Sequence, residues 1–301
     1  MISTREVKAK MKTTKNIKEI TSALEVVSII RMKKSQAVVR QSKNFVKTGF
    51  EILKSMLENG ALEGSNNKKE KTNNKKAVLL ITSDKGLCGP FNVNVVKKFN
   101  EFLSENNFTE KDIKVISVGK WGYNFLKRKN FNILSSFQRF SDVIKLEEIN
   151  PIAENIFDLY SKGEFSELYV VYTDFISSVK NVCRVKRMLP YNVEEIINII
   201  KEIFPEIEYK RKERKVKKEY IFEPSVSYIM EMLTPFLLRI QLFYFITESN
   251  AVEHSLRMMA MKNAKDTATD LLKNLNLIFN KARQEKITSE LIEITSAKEL
   301  L

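Results

Sequence analysis

Glycine and proline are scarce in this sequence and are missing from long stretches at both ends. The 301 residues include 8 Gly and 6 Pro, where average usage gives roughly 20 and 15. The first glycine is Gly49 and the first proline is Pro90, whereas no glycine follows Gly163 and no proline follows Pro235. Turn-rich β folds need both residues for tight turns, so sandwiches and propellers are disfavoured. We expect long uninterrupted helices at the two ends instead.

Residue types that catalyse reactions or hold metals are also few. Cys88 and Cys183 are the only cysteines and His254 is the only histidine. The cysteines lie far apart and have no metal-ligand spacing, which is typical of reduced structural thiols in a cytoplasmic protein. The patterns HExxH, GxSxG, CxxC and GxxxxGK[ST] do not occur. The sequence therefore predicts no catalytic residue, no metal and no cofactor.

Membrane-targeting signals are not evident either. The N-terminal residues MISTREVKAKMKTTK lack the apolar core of a signal peptide. The most apolar stretch, 235–246, is too short to span a bilayer and contains Arg239 and Gln241. We expect a soluble protein.

Positive charge is in excess, with 51 Lys and Arg against 37 Asp and Glu and a net charge of +14. Such an excess suggests an acidic partner, which is nucleic acid, an anionic membrane surface or an acidic protein. The alternative is a lysine-rich solvated surface without a partner. The basic run KRKERKVKKE at 210–219 allows the same two interpretations, a nucleic-acid patch or a solvated loop.

The two ends of the chain carry apolar residues at helical spacing. Residues 3–58 are predicted to form one helix with a repeat of three and four residues at Ile17, Ile20, Leu24, Val27, Val38 and Phe45. Residues 224–296 are predicted to form a second helix. Its apolar positions are Met258, Met261, Ala264, Ala268, Leu271, Leu275, Ile278 and Ala282. Two such helices can bury these faces on each other as an antiparallel coiled coil.

The middle of the chain alternates between short β-branched runs and helical stretches. The predicted strands are 77–84, 113–119, 131–137, 167–175 and 181–190, and the predicted helices are 92–105, 120–129, 147–162 and 193–204. This alternation indicates βαβ units and a mainly parallel sheet. The predicted organisation is a coiled-coil helix (1–60), a flexible linker (61–76), a Rossmann-like α/β domain (77–222) and a second coiled-coil helix (223–301).

Three segments resemble one known family. NIKEITSALEVVSIIRMKKSQ (16–36) resembles the N-terminal helix of the gamma subunit of F-type ATP synthases, and 255–294 resembles its C-terminal helix through RMMAMKNA, LNLIFNKARQ and ITSELIEI. The loop SDKGLCGPFN (83–92) is similar to the family's S-D-R-G-L-C-G-G-L-N. Taken without the resemblance, this loop is predicted to be a structural or interaction turn, with a phosphate cradle as the alternative. The three segments occur in the same order as in the family.

The resemblance implies a non-catalytic central rotor shaft, present as one copy per complex. The coiled coil would occupy the bore of a ring of α and β subunits, and the α/β domain would lie outside it, near the ε subunit and the membrane rotor ring. ATP hydrolysis and synthesis would belong to β, and rotation would be coupled to proton or ion transport. The complex would be peripheral, at the cytoplasmic face of the cell membrane. An acidic protein partner would then account for part of the positive charge, without nucleic acid.

The resemblance also implies roles for particular residues. Arg283, Gln284 and Thr288 match the family's polar group that engages an acidic loop of β. Arg31, Lys33, Lys34, Lys85 and Cys88 match positions that face the acidic lever segment of β, and Leu24, Met258 and Met261 lie in the coupling region.

The sequence departs from the family pattern at several positions. Pro90 stands where the family has Gly, and Ala297 and Lys298 stand where it has Gly-Ala. Three hypotheses therefore stay open at this point. They are an ordinary synthase subunit, the shaft of a paralogous rotary ATPase with another output, and a basic coiled-coil protein that binds nucleic acid.

Overall fold

Along the chain, one long helix precedes the strands and another follows them in the structure, a computed structural model that describes residues 4–58, 75–177, 180–190 and 226–299. Helix α1 is Thr4–Glu58, and the last helix, α5, is Val226–Glu299. The chain forms two compact units, Met1–Ile30 with Arg257–Leu301 and Arg31–Leu256. The predicted helix 193–204, the basic run 210–219 and nearly all of the predicted linker lie outside the described residues, and the predicted domain limits stay a prediction.

The unit Arg31–Leu256 is built on a five-stranded sheet. Its elements are β1 Lys76–Ile81, α2 Phe91–Glu105, β2 Ile113–Val118, α3 Lys120–Arg128, β3 Asn132–Phe137, α4 Leu146–Ser161, β4 Glu167–Phe175 and β5 Asn181–Leu189. The strand order is β3-β2-β1-β4-β5. The first four strands are parallel and β5 runs antiparallel to β4. The predicted α/β class and mainly parallel sheet are confirmed.

Both faces of the sheet are covered, because alternate residues of each strand point to opposite sides. Leu79 of β1 packs in a cluster with Ile152 of α4 and Leu238 of α5. Leu80 packs in the other cluster, with Phe99 of α2 and Leu256 of α5. A strand that is buried on both faces has a continuous apolar sequence, which explains the run AVLLI that begins the predicted strand 77–84.

Polar groups of α5 fix the helix to the end of β4. Glu248 is buried and accepts a hydrogen bond of 2.8 Å from the backbone N–H of Phe175. The neighbouring Ser249 hydroxyl accepts one of 3.1 Å from the N–H of Thr173. These bonds satisfy buried polar groups and set the register of α5 on this edge of the parallel sheet.

The second unit is an antiparallel pair made by the start of α1 and the later part of α5. Lys265 forms an ion pair of 2.6 Å with Glu25. Further toward the start of α1, Lys12 and Lys15 line a groove together with Leu272 of α5. Because the α1 numbers fall while the α5 numbers rise, the helices run in opposite directions, as predicted. Within the described ranges, no helix is long and apolar enough to cross a membrane.

The predicted contact face of α1 is wrong. Ile17, Ile20 and Val27 are exposed, Ile20 by 60%. The buried residues of this part of α1 are instead spaced by seven, namely Val7, Thr14, Thr21 and Ser28. On α5 the prediction is partly right, since Met261, Ala268 and Leu275 are buried at the same spacing while Leu271 and Ile278 are exposed.

The physical reason is that the Thr and Ser hydroxyls of α1 are satisfied within their own helix. Thr14 donates to the carbonyl of Lys10 at 2.9 Å, and Ser28 donates to that of Leu24 at 2.7 Å. A hydroxyl bonded in this way can be buried without a partner across the interface. These small side chains form most of the α1 side of the seam, and the aliphatic side chains of Ile17, Ile20 and Val27 stay on the outer face.

Candidate functional site

The loop after β1 has a polar interior that includes the cysteine. The Asn92 amide donates to the Ser83 hydroxyl at 2.8 Å and lies 3.3 Å from the Cys88 sulfur. The Asn92 carbonyl oxygen accepts from the N–H of Ser83 at 3.0 Å. Cys88 is buried, whereas Lys85 and Leu87 at the tip of the loop are exposed. The loop is therefore a rigid turn that displays Lys85, and the Cys88 thiol lies beneath its surface.

Asp84 connects this loop to two other segments. Its carboxylate accepts hydrogen bonds from the backbone N–H groups of Lys120 at 2.9 Å, Arg139 at 2.8 Å and Phe140 at 3.1 Å. The bond to Lys120 also satisfies a free N–H in the first turn of α3. Asp84 thus holds the loop, the start of α3 and the connection from β3 to α4 in one arrangement.

Two of the cations predicted to contact a partner are brought together by a residue that the sequence did not indicate. Asp142, in the connection from β3 to α4, forms ion pairs with Arg31 at 2.7 Å and with Lys85 at 3.0 Å. Its backbone carbonyl accepts a hydrogen bond of 2.9 Å from Nε2 of His254. The group Arg31, Lys85 and Asp142, which we call the acid bridge, combines α1, the loop after β1 and the β3–α4 connection.

The acid bridge keeps its carboxylate ionised. Partial burial of Asp142 by itself raises the pKa of that carboxyl group. The hydrogen bond from Lys85 and the positive charge of Arg31 favour the carboxylate more strongly, and the net result is a lowered pKa. At neutral pH, one carboxylate therefore lies between the two cations.

The polar group near the C-terminal end of α5 is fully exposed. Arg283, Gln284 and Thr288 are all exposed, and the Thr288 hydroxyl donates to the carbonyl of Gln284 at 2.9 Å. Gln284 and Thr288 are one turn apart and therefore share a face of the helix. Arg283 forms no ion pair with any residue in the described part of the chain. Its guanidinium has five N–H donors in a planar arrangement.

The remaining predicted site residues differ in their exposure. Lys33 and Lys34 are exposed on α1, next to Arg31. Leu24 and Met258 are half-buried, and Met261 is buried in the coiled coil. Met261 therefore contributes to helix packing, whereas the two lysines add charge to the surface beside the acid bridge.

A basic groove on the coiled coil was not identified from the sequence. It has a volume of about 760 Å³, and its cations are Arg5, Lys8, Lys12, Lys15 and Lys18, all on α1. None of these five forms an ion pair with a described residue. The signal was present as cations spaced by three and four residues.

The described residues include no group of three or more His, Cys, Asp or Glu side chains that could hold a metal ion. The described part of the chain does contain the three charged surfaces set out above, which are the acid bridge, the exposed group around Arg283 and the basic groove. Each of them contains lysine or arginine side chains, which bind carboxylates and other anions. The structure thus combines a coiled coil and an α/β insertion with three surfaces that carry cations.

Comparison with known proteins assigns the family. The sequence model of the family described as ATP synthase matches residues 3–301. The ATP synthase gamma chain of Chloroflexus aurantiacus is 30% identical over 299 residues, which are 98% of this chain and 98% of the relative. That of Clostridium novyi is 32% identical over 289 residues, covering 96% of this chain and 94% of the relative. This chain belongs to the gamma-chain family of ATP synthases, the family of the central shaft.

Solved structures agree with the fold. The central stalk and c-ring structure of the Tetrahymena thermophila mitochondrial ATP synthase contains a similar chain, with a TM-score of 0.60 and 21% identity, covering 81% of this chain and 99% of that chain. The rotor of the Euglena gracilis mitochondrial ATP synthase contains another, with a TM-score of 0.62 and 15% identity, covering 94% of this chain and 98% of that chain. The predicted combination of a coiled coil and an α/β insertion is confirmed.

Proposed function

We propose that this chain couples rotation to the conformational cycle of an F-type ATP synthase through contacts with the α and β subunits. The chain would hydrolyse nothing itself, because the catalytic sites would lie on β. It would shift the populations of β conformations by binding them with different free energies. The ε subunit and the membrane rotor ring would bind elsewhere on the chain, at the cytoplasmic face of the membrane.

The observation that carries this proposal is the distribution of apolar residues on the coiled coil. The α1 side of the seam consists mainly of small side chains, while many large aliphatic side chains of both helices point outward. On α1 these are Ile17, Ile20 and Val27, and toward the end of α5 they are Leu277, Leu291 and Ile294. Apolar residues that remain exposed in this number suggest a surrounding protein surface. A ring of α and β subunits would supply that surface.

The charged surfaces would supply direction and specificity. We assign the exposed Arg283, Gln284 and Thr288 to an acidic loop of β, since a guanidinium binds carboxylates with two parallel hydrogen bonds. Arg31, Lys33, Lys34 and Lys85 would face the acidic lever segment of β. The basic groove would be a third contact with acidic side chains of the ring.

Reconstitution with the cognate α and β subunits tests the proposal. We expect a complex whose ATP hydrolysis depends on this chain. If purified α and β assemble and hydrolyse ATP equally well without it, the coupling role is wrong.

Charge reversal tests the assignment of Arg283. We expect Arg283→Glu to weaken ATP-driven ion pumping in the full complex. The matched control is Lys281→Glu, which reverses an exposed charge two residues away on a different face of α5. Equal pumping by the two variants would contradict the assignment.

A further inference from the structure

In the acid bridge, two cations that could bind an acidic partner are already paired with a carboxylate of the same chain. Arg31 and Lys85 are cations of the kind that bind acidic protein segments, yet both contact the carboxylate of Asp142, at 2.7 and 3.0 Å. The three side chains are partly open to solvent, with exposed fractions of 31% for Arg31, 66% for Lys85 and 37% for Asp142. A carboxylate from outside can therefore approach both cations.

The loop that carries Asp142 does not need this carboxylate to stay in place. Its backbone N–H groups at Arg139 and Phe140 donate to Asp84. The next residue, Ser141, donates through its N–H and its hydroxyl to Glu148, at 2.9 and 2.8 Å. The carbonyl of Asp142 is held by His254. Because each residue from 139 to 142 is anchored independently, the Asp142 carboxylate can leave the cations while the loop keeps its position.

The energies of such partly exposed ion pairs favour exchange. Ion pairs open to solvent contribute little to stability, since each group interacts almost as well with water. Replacing one carboxylate by another on the same two cations leaves the number of ion pairs unchanged.

We propose that Asp142 is an internal carboxylate which the acidic segment of β displaces from Arg31 and Lys85 when it binds. The inference rests on the proposed function, in which the partner is β. Asp142 holds the two cations ready when the partner segment is away and competes with it when it returns. Binding at this surface is thus an exchange of carboxylates, which keeps the contact weak enough to release during each turn.

A zero-length crosslink reports the exchange directly. A carbodiimide activates a carboxylate, and a neighbouring amine then attacks it, so that an amide bond forms and the urea leaves. We expect a Lys85–Asp142 amide in the free chain, detected by mass spectrometry of the digest. In the reconstituted complex with α and β, this product should fall at least about threefold, replaced by an amide between Lys85 and a partner carboxylate. The control is the pair Lys98 and Glu101, 3.1 Å apart on α2, whose yield should stay constant.

The affinity for the partner subunits gives a second test. Removing Asp142 should strengthen binding if this residue competes with the partner, and should weaken binding if it only positions the cations. If Asp142 competes with the partner, Asp142→Asn removes the competing carboxylate, and the variant should bind the α and β subunits about three- to tenfold more tightly at low salt. The matched control is Asp158→Asn, which removes an acid from an exposed ion pair on α4 and should leave the affinity unchanged. The free Asp142→Asn chain should have nearly the thermal midpoint of the wild type.

The outcomes separate the possible errors. Equal or weaker binding by Asp142→Asn, or an unchanged Lys85–Asp142 crosslink in the complex, overturns the exchange and indicates that Asp142 only positions the cations. A wild-type chain that does not bind α and β at all overturns the proposed function, and this inference with it.

Discussion

Gly119 offers the sharpest test of how the loop after β1 is held. This residue follows β2 and has φ 95° and ψ 142°, a backbone conformation that residues other than glycine rarely adopt. A Cβ atom placed on it would lie 2.2 Å from the carbonyl oxygen of Thr82 and 2.6 Å from its carbonyl carbon. Both are backbone atoms beside the site loop, so they cannot move aside as a flexible side chain would. We therefore predict that Gly119→Ala strongly destabilises the sheet unit.

The size of the effect follows from two separate costs. Holding alanine in this region of φ and ψ costs about 1–3 kcal/mol. Forcing a methyl group against the backbone adds about 1–3 kcal/mol of overpacking. The sum is about 4 kcal/mol, a large share of the roughly 5–15 kcal/mol by which a domain is stable.

Gly163→Ala is the matched control, because it separates the two costs. Gly163 also has a positive φ, of 74°, but a Cβ atom there would meet nothing within 4 Å. Its substitution should therefore cost only the conformational part, about 1–2 kcal/mol.

The sequence provides its own probe for the assay. Trp121 is the only tryptophan, lies two residues after Gly119, and stacks on Phe125 with ring centroids 6.2 Å apart. Its fluorescence during urea denaturation reports the unfolding of the region that Gly119 supports. If Gly119→Ala lowers the free energy of unfolding no more than Gly163→Ala does, the argument from close approach to Thr82 is refuted. If it lowers that free energy by less than about 1 kcal/mol, the argument from φ is refuted as well.

Three further predictions concern the seam, the acid stability and the thiols. Thr21→Val should change the free energy of unfolding by about 1 kcal/mol or less, whereas Thr21→Leu should cost about 1–3 kcal/mol by overpacking the seam, both measured by thermal or urea denaturation. Burial by itself raises the pKa of Glu148, but hydrogen bonds from Lys145 and Ser141 outweigh it and lower the pKa. The ionised Glu148 therefore stabilises the folded state fully above the unfolded-state pKa, and this stabilisation is lost as pH falls through the folded-state pKa. Glu148→Gln should therefore flatten the acid side of a plot of thermal midpoint against pH, and an unchanged slope would contradict this. Cys88 is buried, and burial raises the pKa of Cys183, so both thiols should react with iodoacetamide much more slowly in the native chain than in urea; rapid native labelling of Cys88 would contradict the structure.

The fold could be predicted from the sequence because its signals are local. The predicted strand 167–175 has the same limits as β4, Glu167–Phe175, and the other described strands differ by a few residues at most. Runs of β-branched residues between helical stretches indicate strands buried on both faces. The scarcity of glycine and proline at the ends likewise indicated the two long helices.

The seam of the coiled coil could not be predicted in the same way. A search for apolar residues at spacings of three and four selects the aliphatic side chains of Ile17, Ile20 and Val27. The actual seam contains Thr14, Thr21 and Ser28, which such a search counts as polar. Their burial depends on hydroxyls bonded to the carbonyl four residues earlier, and this is a feature of three-dimensional packing rather than of composition.

The acid bridge was missed for a related reason. The family resemblance indicated Arg31 and Lys85, because each lies in a segment with a recognisable pattern. Asp142 lies in the connection from β3 to α4, where no periodicity or motif marks it. Only the chain topology places its carboxylate between cations from two distant segments. Contacts of this kind, made by single residues of irregular loops, leave no local signal in a single sequence.

The seam and the acid bridge meet two opposite physical requirements of the proposed role. A shaft that turns inside a ring must be held together by lasting contacts between its helices. The small Thr and Ser side chains of α1 allow close helix packing, because their hydroxyls are hydrogen-bonded within α1 and need no partner on α5. The shaft's contacts with the ring must instead form and break during each turn. Exposed aliphatic side chains would contribute non-directional hydrophobic contact with the ring. Ion pairs that can exchange carboxylates would contribute directional contacts that take little free energy to break. Lasting interactions are therefore expected within the chain, and replaceable ones on its surface.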